Sequence, residues 1–217
     1  LAAADPGACA AARRGRPSLA EAEALSGRIL DASWHVLHDG GFEAFTFDRV
    51  ARHAHIGKAT IYSRFGNKID LMRALLARRI TIRTDQLRLQ AGDLPMREAF
   101  RRRAVDVMTQ LFSPDGVMLE RLIDWLDQEI GEGQSMRGNA YRHAIESIAE
   151  TIIHSPDRSA IGSCDIDVAA RFWLEGLLGH ARLATSEGRW SAQQAERWAD
   201  DYTRFYFAGL QALANPA

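Results

Sequence analysis

HIGKATIYSRFGNK, residues 55 to 68, contains both lysines of a chain whose other 25 basic residues are arginine. Between Lys58 and Lys68 runs KATIYSRF, a segment of β-branched and aromatic residues with Gly57 before it and Gly66-Asn67 after it. The pattern predicts a short helix that starts directly from a turn over His55-Ile56-Gly57 and breaks at Gly66-Asn67. Two short cations bracketing one helical segment suit an element that grips phosphates.

Working upstream, FDRVARHA reads as a second short helix. Thr46 is its N-cap, Asp48 sits in the first turn where an anion favours the helix dipole, and Val50, Ala51 and Ala54 form its inner face. Before it, Leu25, Ile29, Ala32, Val36 and Leu37 recur at helical spacing up to Gly40-Gly41, and Phe42 and Phe45 re-enter a core. Downstream, a long helix starts near Lys68 and carries Ile69, Leu71, Met72, Leu75, Leu76 and Ile80. Two short helices joined by a tight turn, with a third across them, form a helix-turn-helix whose second helix enters the major groove. Ile56 and Ile61 are expected to be buried, and Lys58, Ala59, Thr60, Tyr62, Ser63 and Arg64 to be exposed. Small residues at 59, 60 and 63 let the helix approach base edges, while Lys58, Tyr62 and Lys68 donate to phosphates. Thr46 joins this DNA-facing set. Lys68 also sits at a helix start, where free backbone amides attract anions. Arg64 or Lys58 to guanine is chemically reasonable, and phosphate contact is an equal alternative for each.

The rest of the chain is compatible with such a module. At 217 residues, 47% apolar and 25% charged, it has the composition of a soluble globular protein. No apolar run approaches the roughly 20 residues that span a bilayer. LAAADPGACAAA lacks the charged start and bulky apolar segment of a signal peptide and is expected to be a flexible tail. Cys9 and Cys164 have no metal-type spacing and make no disulfide framework, so a reducing cytoplasm is expected. Charge is uneven: residues 1 to 80 carry a balance of +4 and residues 81 to 217 one of −5, which sum to the net −1. A basic N-terminal third fits a polyanion-facing module joined to a body with another task.

Ile29-Leu30, Ala32, Gly41-Phe42, Thr46, Val50-Ala51, Ala54, Ile56, Lys58, Thr60-Ile61-Tyr62, Phe65, Lys68 and Leu71 stand in an order that resembles the DNA-binding domain of the tetracycline-repressor (TetR) family of transcriptional regulators. The resemblance covers about a fifth of the chain. It implies a dimeric repressor whose C-terminal helical body binds a small molecule. Two positions depart from the family's pattern: His55 stands where it usually has glycine, and Gly57 where it usually has a serine or threonine cap. Histidine tolerates positive φ better than a β-branched residue, and glycine is an acceptable N-cap, so the turn is expected to survive with some loss of stability.

The expected architecture is all-α, with about nine helices. A basic arm covers residues 1–18, the helix-turn-helix domain 19–67, and a helical ligand-binding and dimerisation domain 68–217. In the arm, Arg13, Arg14 and Arg16 are either a solvated basic tail or side chains that reach a narrow minor groove, with Pro17 stiffening the exit.

Body helices are predicted near 95–112, 115–131, 135–154, 165–187 and 191–214. The last two are apolar on more than one face, and a helix with two apolar faces must bury both. Phe172, Leu177, His180, Trp198, Tyr202, Phe205 and Gly209 are assigned to a four-helix seam between two subunits, with Gly176, Gly179 and Gly209 allowing close approach; a thick monomeric core is the competing assignment. Twofold symmetry then implies a palindromic or near-palindromic target, with half-sites about one turn or a little more apart.

Met108, Phe112, Met118, Leu122, Trp125, Tyr141, Ile145 and Trp173 are candidates to line an effector cavity; ordinary core packing is the competing assignment. Asp124 and Asp127 favour either a cation or plain solvent. No cofactor or metal is expected, and no phosphate loop or nucleophile elbow appears. Expected partners are double-stranded DNA, a second copy and a small-molecule effector. The rival reading is a ligand-independent, architectural DNA-binding protein.

Overall fold

The computed structural model describes residues 18–91, 94–131, 135–186 and 191–214, and every regular element among them is helical. They form two compact units that divide between Gly66 and Asn67. Arg13, Arg14 and Arg16 lie outside the described residues. Among those residues no helix is long and apolar enough to cross a membrane.

The first unit contains α1 (Leu19–Gly40), α2 (Phe47–Ala54) and α3 (Lys58–Arg64). A reciprocal cap opens α1. The Ser18 hydroxyl accepts the Glu21 N–H at 3.2 Å and the Glu21 carboxylate accepts the Ser18 N–H at 2.8 Å, which also holds that carboxyl below its ordinary pKa. Gly41, at φ +66°, ends the helix and donates to the Leu37 carbonyl. Ile29, Leu37, Phe45, Val50 and Ile61 are buried and form the centre of this small core. Phe42 and Ile56, both expected inside, are only partly covered.

The second unit contains α4 (Lys68–Ala91), α5 (Met96–Leu111), α6 (Pro114–Ile130), α7 (Met136–Ile153), a 3-10 turn (Arg158–Ile161), α8 (Ile166–Ser186) and α9 (Ala192–Ala214). α4 packs against α5, α6 and α7, while α5 lies on α9 and α7 on α8. Phe100 of α5 is the hub: its ring meets Trp173, Tyr206 and Phe207 at centroid distances of 5.4, 5.7 and 5.6 Å. Side chains satisfy the helix starts. Pro95 has no capping side chain, so the Asp157 carboxylate accepts the Met96 N–H at 2.7 Å, and Ser113 and Ser135 cap α6 and α7. Asp127, weighed earlier as a cation ligand, accepts the Met136 N–H at 2.5 Å, and Asp124 accepts from Arg137 at 2.6 Å.

The two apolar faces of α8 are real, but their membership differs from the expectation. Leu177 is fully buried beside Trp173 and Leu174, whereas Val168, Phe172 and Leu183 are exposed. Five residues along a helix turn about 140°, so Leu177 cannot share the outward stripe of Phe172. On α9 the outward stripe is Phe205, Gly209 and Leu213. The tyrosines join the two helices: Tyr202 donates to the Trp173 and Phe172 carbonyls at 2.8 and 3.0 Å, and Tyr206 donates to the Ala169 carbonyl at 2.8 Å. Burial pushes both phenols well above their ordinary pKa, so neither ionises in any normal buffer. His180, Trp198 and Tyr202, assigned to the seam from sequence, stack as a ladder within the chain at 4.2 and 4.7 Å.

The glycines separate by role. A Cβ on Gly176 would lie 2.3 Å from the Tyr202 hydroxyl, so this glycine lets α8 and α9 meet. Gly179 and Gly209 have nothing within 4 Å of a Cβ and leave the outward face flat.

Candidate nucleic-acid interface and body cavity

The turn between α2 and α3 fixes the geometry of the first unit. Thr46 starts α2 by accepting the Arg49 N–H at 3.3 Å. At the other end His55 takes the left-handed conformation, φ 54° and ψ 47°, the one non-glycine residue with positive φ among those described. Its N–H reaches the Arg52 carbonyl at 3.3 Å and the Ile56 N–H reaches the Ala51 carbonyl at 3.0 Å. Paired bonds of this kind are the Schellman ending, which closes a helix and reverses the chain within two residues. Gly57 then caps α3 through its backbone alone, with the Thr60 N–H on its carbonyl at 3.0 Å. A β-branched side chain at position 55 would clash in the left-handed conformation. His55→Val is expected to cost about 1–2 kcal/mol and His55→Gly to keep or raise the thermal midpoint, as read by circular dichroism.

Ile61 anchors α3 from below and is fully buried. Lys58, Ala59, Tyr62 and Ser63 face solvent on the opposite side, while Thr60 and Arg64 are partly covered. Each exposed polar group is oriented. The Lys58 ammonium bonds Asp48 of α2 at 2.9 Å and lies 5.9 Å from the Tyr62 ring centroid. That partnership raises the Lys58 pKa, keeping it charged across the physiological range. The Tyr62 ring rests on Phe47 at 4.7 Å, and the Ser63 hydroxyl donates to the Thr60 carbonyl. Arg64, expected among the base-facing residues, donates to the Ser26 hydroxyl at 2.9 Å and so ties α3 to α1.

Lys68 belongs to the second unit and is placed differently from Lys58. Its ammonium lies 5.1 Å from the Trp125 ring centroid on α6, and desolvation lowers its pKa against the opposing charge of Glu129. Trp125, a candidate cavity residue from its spacing, is thereby engaged by Lys68.

A cavity of about 100 Å³ lies between α4, α5, α6, α7 and α8. Tyr141 and Trp173 line it, as expected for them, together with Arg83, Thr84, Arg103 and Glu120, which sequence reading did not single out. Met108, Phe112, Met118, Leu122 and Ile145 do not: Met108 and Leu122 are fully buried core, Met118 is buried in α6, and Phe112 and Ile145 pack against the core's edge. Arg83, Arg103 and Glu120 were legible only as charged residues on amphipathic helices, a signal that solvent-facing positions share. Elsewhere in the body the Ser163 hydroxyl donates to the Ala214 carbonyl, and burial with Asp165 nearby pushes the Cys164 thiol pKa up, the opposite of an activated nucleophile.

Residues 29–75 match the family described as bacterial regulatory proteins, tetR family. Among curated proteins the chain is similar to the uncharacterized HTH-type transcriptional regulator YvkB of Bacillus subtilis, 29% identical over 139 residues that cover 54% of this chain and 74% of that protein. It is also similar to the DNA-binding transcriptional repressor TetR of Mycobacteroides abscessus, 40% identical over 58 residues that cover 27% of this chain and 30% of that protein. Among solved structures, a TetR-family transcriptional regulator from Mesorhizobium loti superimposes with a TM-score of 0.71 at 20% identity, covering 86% of this chain and 96% of that one. The second curated match spans about a quarter of the chain, whereas the structural likeness covers most of it.

Proposed function

Because the chain belongs to the tetR family of bacterial transcriptional regulators, we propose that it is a cytoplasmic repressor that binds a palindromic operator as a homodimer and leaves it when a small hydrophobic or aromatic effector enters the body. The family consists of DNA-binding regulators rather than enzymes.

The observation that carries this reading is the outward face of α3. Lys58, Ala59, Tyr62 and Ser63 form a strip with small side chains beside oriented donors, and Ile61 fixes the helix from behind. In the proposed complex α3 lies in the major groove, with Lys58 and Tyr62 on phosphates and the small residues against base edges. The Thr46 hydroxyl, which accepts a backbone N–H, keeps its proton to donate to the phosphate backbone. Lys68, partly buried against Trp125, contributes less than Lys58.

Dimerisation supplies the second copy of α3. The open stripes of Val168, Phe172 and Leu183 on α8 and of Phe205 and Leu213 on α9, flattened by Gly179 and Gly209, suit a self-complementary seam. Effector release then requires a ligand whose affinity is higher for an arrangement of the two heads that does not span the half-sites.

The test uses the full chain and selection of bound sequences from random duplex DNA, followed by Lys58→Ala and the Lys58→Ala/Tyr62→Ala pair. A palindrome is expected, with about tenfold loss for the single substitution and about a hundredfold for the pair; the salt slope should shrink by about one unit per phosphate contact removed. Salt-sensitive binding with no sequence preference would favour the architectural alternative. Undiminished binding by the folded double variant would remove α3 from the groove.

A further inference from the structure

We propose that Asp48 determines the specificity of the DNA-binding face: its carboxylate weakens binding to DNA at large and recovers that loss only where it accepts a hydrogen bond from the exocyclic amino group of a base, cytosine by preference. This deepens, and rests on, the reading of α3 as the helix that lies in the major groove.

The geometry is local to the first unit. The Phe47 ring supports Tyr62 at 4.7 Å, which sets the first turn of α2 beside the outward strip of α3. Asp48 is the next residue along, and its Oδ2 accepts from the Lys58 ammonium at 2.9 Å. The two side chains are 61% and 47% exposed, so the pair is open to a ligand on that face. Among the described residues Lys58 is the one ion-pair partner of Asp48, although Arg52 lies a single turn further along the same helix. Asp48 also borders an open notch that Arg52, His55, Ile56 and Gly57 line with it.

A carboxylate in this place opposes the phosphate that Lys58 is to hold. An ammonium has three N–H bonds, and one is given to Asp48, which leaves two for DNA. A phosphate oxygen on either of those stands about 4.7 Å from Oδ2, the separation of two acceptors each about 2.9 Å from a tetrahedral donor. That is inside the screening length of about 8 Å at physiological salt, so carboxylate and phosphate repel wherever on the duplex the protein lands. Expelling water from the interface adds the lost hydration of the carboxylate. Both costs fall on every sequence alike. In the major groove the cytosine N4 amino group is a donor that aspartate accepts, and adenine N6 is the other amino group there; guanine and thymine present acceptors or a methyl group. A target with cytosine against Asp48 restores a hydrogen bond, whereas guanine or thymine leaves the charge unpaired, which is discrimination by repulsion.

The experiment compares the full wild-type chain with Asp48→Ala and Asp48→Asn by fluorescence anisotropy over a range of salt. The ligands are the duplex recovered by selection from random DNA and a scrambled duplex of the same composition, and thermal melting establishes that each variant is folded. On the scrambled duplex both variants are expected to bind about threefold tighter, with a salt slope steeper by up to about one unit. On the selected duplex the lost base contact of Asp48→Ala should outweigh the lost repulsion, so that affinity falls about threefold and the ratio of specific to non-specific binding about tenfold. Selection repeated with Asp48→Ala should lose a preference for cytosine or adenine at one position of each half-site and keep the others.

Weaker or unchanged binding of the folded variants to the scrambled duplex would make Asp48 a brace for Lys58 alone and overturns the proposal. So does an unchanged ratio, or a selected site that keeps every base preference. If Asp48→Ala does not fold, the scrambled-duplex affinity and the ratio for the near-isosteric Asp48→Asn decide. A wild-type chain that selects no sequence removes the reading of the chain as a regulator and this proposal with it, whereas selectivity that survives Asp48→Ala removes this proposal alone.

Discussion

Gly116→Ala is expected to lower the folding stability of the helical body by about 3 kcal/mol or more, at the upper end of what overpacking produces. Gly116 lies in the first turn of α6, and a Cβ there would sit 1.9 Å from the Gln110 carbonyl oxygen and 3.0 Å from the Leu111 Cα. Both obstacles are backbone, so no side chain can rotate away. The same carbonyl accepts the Ser113 hydroxyl at 2.7 Å, and Ser113 in turn accepts the Gly116 N–H at 3.0 Å, which closes a compact joint between α5 and α6. Relief of the clash means opening that joint and losing the cap. In a domain of this size the loss corresponds to a fall of about 6–12 °C in thermal midpoint. Gly138→Ala is the control: it occupies the equivalent turn of α7, where a Cβ meets only the Ser135 side chain at 3.5 Å. Better helix propensity should make that variant more stable by about 0.5–1 kcal/mol. A midpoint for Gly116→Ala equal to that of the parent would show that the joint is loose.

In the proposed homodimer, Phe205→Glu should convert the protein to a monomer at micromolar concentration. Phe205 is 77% exposed on α9 and Phe172 is 48% exposed on α8, a large apolar outlay for side chains facing water. In a twofold seam each substitution acts twice. Losing the burial of two phenylalanines removes about 3–6 kcal/mol, more than a hundredfold in dissociation constant before the desolvation of two carboxylates is added. Sedimentation equilibrium reads the change directly. Operator binding should fall in parallel, because one head alone lacks the second half-site. A variant that stays dimeric would place the seam elsewhere on the body.

The helix-turn-helix is legible in the sequence because its signals are local. Thr46, the His55-Gly57 turn and Gly66 punctuate short segments, and the spacing of Val50, Ala51 and Ile61 orients them. The left-handed conformation of His55 is expected only from the resemblance, because it stands where the family usually has glycine, and its φ of 54° agrees. The second apolar faces of α8 and α9 are also visible as too many apolar residues for one stripe. What periodicity cannot show is which nearby stripe turns outward, and so Leu177 was assigned to the wrong side.

Contacts between residues distant in the chain are invisible to local patterns. Lys58 meeting Asp48 and Arg64 meeting Ser26 depend on how α3 lies across its neighbours. Lys68 over Trp125, and Asp157 capping α5 in place of Pro95, depend on the packing of the body. The cavity was harder still: its charged lining residues, Arg83, Arg103 and Glu120, look like solvent-facing charges until five helices surround them.

The tyrosine pins between α8 and α9 have a mechanical consequence. Tyr202 and Tyr206, hydrogen-bonded to three carbonyls of α8, with Gly176 admitting the Tyr202 ring, pin the two helices into one plate at three points. Trp173 and Leu174 form part of the cavity wall on one side of that plate, and Phe172 lies on the other. A displacement of α8 at the cavity wall is therefore expected to be passed to α9 through those three bonds.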